Sequence, residues 1–462
     1  MEIANALWNK EPLKVVLTLD ENNTFEASTD TEDGNLLQYA SFDLSNGNDS
    51  VNPLGISESN RVCFKILDKE NKLNINTSDT VKNNGVGIKC SFFIKYDNEN
   101  WTPYGTFYSL SWFNSFVDGA NDLVAISAED KLNRIGNMDT PKIRAVRNMN
   151  ISSLISQVLD GIGIAPDKYY IDPLLSRELK FGIVTGKKVR DFFNNICQLL
   201  FARVYIDRDD IINFVPAFDA QSVYNVVNVS GDYAGSISLQ NSNAVSYKKI
   251  KLNYKDPSGF NEEELAQDNI YIKDGEQTLD TISFTNKNMG ITDVKIVADP
   301  KYYDDVLTIK GLSYTAYQSE ISIDVVASAL LGEQSTKEGL PGVPAKIYIS
   351  GLKVYNTEKT KETDFNENGI SNFEFNSEQL LEDNDAAELL ETIKKHFIQI
   401  QKKTNIDGTP LTPKLFIGDV INLNIDDTYK YASLYRGTYK ICNMNILFGE
   451  NYSMSLTLLR LK

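Results

Sequence analysis

Short runs of alternating apolar and polar residues constrain this chain more than any other feature. In the run IKCSFFIKY, Cys90, Phe92, Ile94 and Tyr96 fall on one face, which is the period-2 pattern of a half-buried strand. Similar runs, such as KVVLTL and RVCFKIL, recur across residues 1–142 and are separated by clusters of Asn, Asp, Gly and Ser. This part of the chain is therefore predicted to be a β-domain.

Two distant stretches share one arrangement. WTPYGTFYSLSW, at 101–112, follows a strand pattern and an acidic turn, and SLYRGTYKICNM, at 433–444, follows another strand pattern and an acidic turn. In both, a Gly-Thr-aromatic tripeptide opens a strand and a further strand returns. Chance recurrence of a short turn is one explanation. A repeat instead predicts two β-domains of related shape, with 88–128 and 419–460 superposing as equivalent three-strand meanders.

Residues 143–225 are predicted to form a small α/β domain. Apolar residues three and four apart give one helical face in NMNISSLISQVLDGIGI, whose helix should end at Gly161. TGKKVRDFFNNICQLLF carries a second, broader apolar stripe. VYIDRDDIINFVP then has the pattern of a hairpin that turns at Arg208–Asp210.

The remaining sequence returns to strand patterns and contains one long helix. Residues 226–403 are predicted to be a β-rich region whose helix, near 384–403, opens at Asn384-Asp385 with Glu388 as its capping partner. The predicted buried face of this helix is Ala386, Leu390, Ile393, Phe397 and Ile400. Residues 404–462 are predicted to be closing strands. The expected fold class is mainly β with an α/β insert.

Charge and cysteine content exclude several classes of protein. The formal net charge of −17 argues against binding nucleic acid by counterion release and against anionic membrane surfaces. No apolar run approaches the 18 residues or so of a membrane-spanning helix, and the start of the sequence does not resemble a targeting segment. The scattered cysteines are expected to be reduced and mostly buried, in a protein that folds in a cytoplasm: Cys63, Cys90, Cys197 and Cys442.

Candidate catalytic residues are few. His396 is the single histidine, so any Ser-His-Asp or Cys-His mechanism would have to use it, and two-histidine zinc sites are excluded. As a lone histidine it is expected at the surface or at an interface. The stretch with Gly182, Gly186 and Lys187 lacks the spacing of a phosphate-binding loop. The sequence therefore predicts no catalytic or cofactor-binding residue, although its 63 carboxylates leave a glycosidase pair formally open.

One stretch partly matches a calcium-binding loop. Asp364, Asn366 and Asn368 place oxygen ligands at alternate positions, and Gly369 supplies the turn. The position that should hold a bidentate Glu is Phe375, and Glu374 comes one residue too early. A polar acidic loop is the favoured interpretation, so no metal ligand is predicted.

The order β-domain, small α/β unit, β-domain resembles the baseplate hub and tail-tip hub proteins of tailed bacteriophages and their relatives in contractile injection systems. The resemblance is carried by SFDLSN followed by RVCFKILD, by WTPYGTFYSLSW with LVAISAEDKLNRI, by the two helical stretches, and by LFIGDVINLNI with RGTYKI. It covers most of the chain by order of elements, and it is weakest over residues 226–360. It implies two tail-tube-like β-domains in one chain, the second formed from part of 226–403 together with 404–462.

The resemblance implies a structural virion protein. In that family a trimer presents six tube-like domains to a hexameric tail tube. The implied partners are two further copies of the chain, the tail tube protein, distal tail or baseplate proteins, the tape measure protein and a central spike or tip protein. Sequence-specific nucleic acid binding and membrane binding are not implied. The implied location is the tail, baseplate or tail tip of a virion assembled in the host cytoplasm.

Two alternative functions follow from the residues themselves. A peripheral receptor-binding or carbohydrate-binding tail protein would show an exposed cleft lined by aromatic residues. A carboxylate-based hydrolase would release sugar or peptide from the cell wall.

We predict that the chain does not degrade cell wall, because it has one histidine, scattered cysteines and no nucleophile motif. Zymography on peptidoglycan from several bacteria should give no clearing. Clearing that disappears when a single carboxylate is changed to its amide would contradict this prediction.

Overall fold

The computed structural model covers the whole chain and describes most of it. The described residues are 12–30, 34–47, 54–69, 72–74, 86–95, 100–117, 121–141, 143, 146–176, 178–182, 188–217, 224–229, 236–240, 247–283, 289–301, 306–317, 320–400, 403–407, 415–425, 427, 430, 432–449 and 453–461.

In the part of the chain that the structure describes, the first β-unit is a closed sheet of seven strands. Its strands are β1 (Leu13–Asp20), β2 (Asn23–Ser28), β3 (Leu36–Ser45), β5 (Arg61–Asp68), β6 (Lys89–Lys95), β7 (Trp101–Val117) and β8 (Asn121–Glu129). They follow the order β3-β2-β1-β6-β7-β8-β5, and β5 pairs back onto β3. Alternating burial along these strands, as in β6, places their apolar side chains in a common interior.

The second β-unit has, among the described residues, six strands from the later part of the chain. They are β14 (Tyr224–Val229), β15 (Ser236–Gln240), β23 (Lys403–Asp407), β24 (Val420–Ile425), β25 (Gly437–Phe448) and β26 (Ser453–Arg460). Their order is β14-β24-β25-β26-β23-β15. A short helix, α6 (Ala432–Tyr435), lies between β24 and β25. Because β25 also pairs with β3, the two β-units form one sheet of 13 strands.

The α/β unit lies between the β-units in sequence. Its helices are α1 (Lys131–Gly136), α2 (Ile151–Gly161) and α3 (Val189–Leu200), with 3-10 turns at Pro166–Lys168 and Pro173–Leu175. Its strands are β9 (Val146–Asn150), β10 (Tyr169–Ile171), β11 (Glu178–Gly182), β12 (Ala202–Ile206) and β13 (Ile212–Pro216), and the two-residue β4 (Gly55–Ile56) joins β12 from the first β-unit.

Two helices and a hairpin of this unit form where the sequence predicted them, with one refinement. Both predicted helices form with their apolar faces buried, and β12 and β13 form the predicted hairpin. Helix α2 ends at Gly161 as predicted, but the left-handed conformation belongs to Gly163, at φ +81°. Gly161 serves close packing instead, because a Cβ there would lie 2.7 Å from the ring of Pro141.

An inserted unit, residues 247–400, separates β15 from β23. Its strands are β16 (Tyr247–Ile272), β17 (Gly275–Ser283), β18 (Met289–Ala298), β19 (Val306–Tyr317), β20 (Glu320–Leu330), β21 (Val343–Asp364) and β22 (Ser371–Leu380), in sheets ordered β18-β21-β16-β22 and β17-β20-β19. Its helices are α4 (Glu333–Lys337) and α5 (Asp383–Ile400). Helix α5 begins one residue before the predicted opening, and Ala386, Leu390, Ile393 and Phe397 are buried as predicted.

Apolar side chains gather in three clusters that cross the boundaries of these units. One cluster fills both β-units. A second joins the α/β unit to α5 and to the ends of β16 and β22. A third lies between the two sheets of the inserted unit. The architecture is mainly β with a small α/β unit, as the sequence predicted.

Replacing Phe42 with Ala should lower the free energy of unfolding by about 3–5 kcal/mol, because a buried phenylalanine is lost from a packed core. Phe42 is fully buried, and its ring lies 5.0 Å from that of Phe92 and 5.1 Å from that of Tyr104. Urea denaturation measures the change. The matched control is Leu174→Ala, at a side chain that is 60% exposed, which should change stability by less than about 0.5 kcal/mol. Equal effects of the two substitutions would contradict the prediction.

Candidate functional site at the junction of two β-units

The two β-units meet where β3 pairs with β25. The pairing is antiparallel and runs without interruption from Ser45 opposite Asn443 to Ala40 opposite Phe448. Side chains on one face of this ladder, including Leu44 and Met444, are buried in the shared core. The junction is therefore a continuous piece of sheet with its own apolar face.

A cluster of aromatic rings lies directly under this ladder. Phe448, from β25, has its ring centroid 5.6 Å from that of Phe42 on β3 and 5.8 Å from that of Tyr104 on β7. Both contacts have the edge-to-face geometry that aromatic pairs favour. The second β-unit thus contributes a core side chain to the first, which couples the packing of the two units.

A buried polar contact ties the α/β unit to the same junction. Asn46, the residue after β3, is 1% exposed; its N–H donates to the Cys442 carbonyl at 3.0 Å and its Nδ2 donates to the Ile441 carbonyl at 2.9 Å. Its own carbonyl accepts a 2.7 Å hydrogen bond from Nη1 of Arg203, on β12. Three parts of the fold therefore meet at one asparagine.

Burial changes the electrostatics of this contact. Arg203 is 2% exposed, and desolvation lowers the pKa of its guanidinium, which stacks over the Tyr205 ring at 4.9 Å. On the neighbouring Gly418-Asp419 turn, desolvation raises the pKa of Asp419, whose Oδ2 accepts from the Phe416 N–H. A buried cation placed at a backbone carbonyl orients the units, whereas the surrounding apolar contacts supply the stabilisation.

The two predicted meanders have the same strand register. Cys90 pairs with Phe107, two residues after Gly105, and Ile421 pairs with Tyr439, two residues after Gly437. On the opposite edge, each middle strand has a β-bulge five residues after its glycine, at Leu110 (110−105) and at Cys442 (442−437).

The correspondence extends over five strands. One row of paired residues in the first β-unit runs across β3, β5, β8 and β7 through Phe42, Val62, Ala128 and Ser109. The matching row in the second β-unit runs across β15, β23, β26 and β25 through Leu239, Thr404, Leu458 and Ile441. The fifth pair of equivalent strands is β6 and β24, which occupy the same position in the two meanders. The match ends at the next strand, because β1 is antiparallel to β6 and β14 is parallel to β24.

A glycine turn before each meander is also repeated. Gly87 has φ +85° and donates its N–H to the Ser109 carbonyl at 2.7 Å. Gly418 has φ +92° and donates its N–H to the Ile441 carbonyl at 2.8 Å. Left-handed backbone favours glycine, so both positions demand the same residue for the same reason.

A sequence signal for the longer repeat exists but is weak. Residues 41–46 read SFDLSN and residues 238–243 read SLQNSN. The register places 41 opposite 63 and 238 opposite 405, so the two segments start at equivalent positions of β3 and β15. Three identical residues in six carry little weight without the pairing, which explains why the sequence indicated the repeat only through the two Gly-Thr-aromatic stretches and their flanking strands and acidic turns.

His396, which was expected at the surface or at an interface, is 2% exposed, so the surface position is wrong. Helix α5 contacts β16 and β21 of the inserted unit and also β26 of the second β-unit. Because the helix is covered from two directions, more than its apolar stripe is buried.

The stretch that partly matched a calcium loop is the turn between β21 and β22. The side chain of Asn366 accepts the Asn368 N–H at 3.1 Å, and Asp364 lies 3.9 Å from Nζ of Lys249. Gly369 is explained by close approach, since a Cβ there would lie 2.4 Å from the backbone nitrogen of Lys248. Phe375 is buried in β22. These contacts favour the polar turn.

The other candidates are dispersed. Gly182 ends β11, whereas Gly186 and Lys187 lie outside the described residues. All four cysteines are free and three are buried, as predicted; Cys63 is exposed. Within the described ranges, no group of three or more metal-binding side chains converges, and no helix has the length and apolar character that crossing a membrane requires.

Replacing Asn46 with Ala should lower the free energy of unfolding by about 1 kcal/mol, because a buried hydrogen bond to β25 is lost. Amide hydrogen exchange should become faster across residues 443–448. This measurement locates the loss of stability at the junction, whereas urea denaturation reports only the stability of the whole protein. Asn445→Ala is the matched control, because Asn445 lies in the same ladder with its side chain exposed. If the control is as destabilising as Asn46→Ala, the junction does not depend on Asn46.

Known proteins resemble this chain in structure and not in sequence. No protein-family model and no curated protein sequence matches the chain. Among solved structures, it is similar to the 43 kDa tail protein of prophage MuSo2 from Shewanella oneidensis, with a TM-score of 0.52, 11% identity, and coverage of 97% of this chain and 98% of that one. It is similar to the tail protein from Neisseria meningitidis MC58, with a TM-score of 0.52, 7% identity, and coverage of 97% and 96%. The chain therefore has, over nearly its whole length, the mainly β fold of tail proteins that the resemblance to tail hubs implied.

Proposed function

We propose that the chain is a structural virion protein, a trimeric hub that joins the end of a tail tube to the baseplate or tail tip. The observation that carries this proposal is the pair of β-units that share five strands in one register and join edge to edge within one chain. Three chains would then supply six equivalent β-units. The fold shared with two tail proteins supports a structural role in a tail.

The proposal divides the chain by role. The first β-unit, within residues 1–142, forms the first tube-like domain, and the second β-unit, which begins with β14 and β15 and is completed by 404–462, forms the second. Strands of both tube-like domains line the inner wall of the ring, and the α/β domain, 143–225, packs outside. Amphipathic helices suit the outer face of a sheet, which supports this arrangement.

The proposed passage carries DNA past an acidic surface. The net charge of −17 supports a lumen that repels the phosphate backbone, so that DNA slides without binding. The proposed partners are the tail tube protein, distal tail or baseplate proteins, the tape measure protein and the central spike or tip protein. No catalytic, cofactor-binding or metal-binding residue is assigned.

Light scattering on the purified chain at high concentration should give three times the 51.9 kDa mass of one chain. The mass should fall on dilution, because strand-edge contacts between subunits dissociate by mass action. Imaging of the assembled particle should place the chain on the tail axis with three-fold symmetry. Six copies with true six-fold symmetry would overturn the proposal, and a single copy at the periphery would favour the receptor-binding alternative.

A further inference from the structure

We propose that residues 113–116 of β7 pair antiparallel with residues 237–240 of β15 from a second copy of this chain, in the register of the β3–β25 junction. The proposal rests on the trimer proposed above and specifies which strand edges join its subunits. It would make the contact between chains a copy of the contact already present within one chain.

The internal repeat supplies the register. Positions 445–448 of β25 correspond to 113–116 of β7, by the matched bulges at Cys442 and Leu110. Positions 40–43 of β3 correspond to 237–240 of β15, by the matched rows through β5 and β23. Ala40 pairs with Phe448 and Asp43 with Asn445 at the junction. The equivalent pairs between chains are 237 with 116 and 240 with 113.

Both equivalent edges face away from their own units. β7 pairs with β6 only as far as Tyr108, whereas it pairs with β8 as far as Val117. Within the described ranges, no strand lies along the other edge of β7 beyond Leu110, and β15 pairs with β23 alone. Strand edges of this kind are templates for further pairing.

Exposed apolar side chains mark the β7 edge. Leu110 is 43% exposed and Phe113 is 67% exposed. At the junction within the chain, the residue equivalent to Leu110 is Cys442, which is fully buried and whose carbonyl is bonded by Asn46. The Cys442 side chain is buried in the cluster of the α/β unit and α5, so the comparison rests on the backbone: the Cys442 carbonyl is bonded, and the equivalent edge of β7 has no paired strand among the described residues.

The contact is head to tail, which sets the form of the assembly. Within one chain, β3 of the first β-unit pairs with β25 of the second. Between chains, β7 of the first β-unit pairs with β15 of the second β-unit of a neighbour. A heterologous contact of this kind produces a ring when its rotation closes. Three chains joined by it would alternate first and second β-units around the ring.

Disulfide trapping tests the register directly. Ser115 and Ser238 should lie opposite each other, with Cβ atoms about 5 Å apart, within reach of a disulfide. In a Cys63→Ser background, which removes the exposed native thiol, the full-length chain carrying Ser115→Cys and Ser238→Cys is oxidised at high concentration. Non-reducing gels should show covalent species of two and three chains.

The matched control is Ser111→Cys with Ser238→Cys in the same background. Ser111 lies on the same face of β7, but four residues away it would be about 13 Å from its partner. Cross-linking should be at least about tenfold weaker than for the test pair. Equal cross-linking of the two pairs would overturn the proposed register.

Light scattering on the same samples separates the two proposals. A trimer without the Ser115–Ser238 cross-link would overturn this interface and leave the trimeric hub standing. A chain that stays monomeric at every concentration, without cross-linking, would overturn both.

Discussion

The antiparallel ladder between β3 and β25 is the constraint on which the rest of the structure depends. β3 closes the first β-unit by pairing with β5, and its other edge carries the second β-unit. A shift of β3 by one residue would turn Phe42 out of the aromatic core and would disrupt the pairing of β3 with both β5 and β25. Register at this strand therefore determines the packing of both β-units, and the shared core around Phe448 stabilises that register.

The α/β unit is fixed to this ladder by a contact that contributes orientation more than stability. Its helices already bury Phe192 and Phe193 in the cluster that the unit shares with α5 and with the ends of β16 and β22. Arg203 adds a guanidinium that must be desolvated, bonded to the Asn46 carbonyl. Since a buried cation is expensive unless it is bonded, a placement of the unit that broke this bond would be penalised. The same asparagine bonds β25, so the position of the α/β unit and the pairing of the β-units are linked.

Local sequence patterns predicted the helices, turns and hairpins. The pairing of distant strands could not be predicted from them. Helices α2 and α3, the β12–β13 hairpin and both meanders follow from apolar spacing and turn residues, which act over a few positions. The β3–β25 pairing joins residues about four hundred positions apart, and no property of either strand alone specifies its partner. The burial of His396 could not be predicted for the same reason, because its helix contacts β16, β21 and β26, strands that local spacing does not bring next to it.

The two β-units differ most in one equivalent connection, which suggests how a duplicated module acquires two roles. Between β3 and β5 the residues that the structure describes form β4, which extends the sheet of the α/β unit through Gly55 and Ile56. Between β15 and β23 it forms the whole inserted unit, whose helix α5 packs back on β26. Insertions at a connection leave a strand ladder intact, because the paired backbone is unchanged. In the proposed ring, alternating β-units would therefore anchor the α/β unit and the inserted unit in turn, and each would appear three times around an otherwise continuous wall.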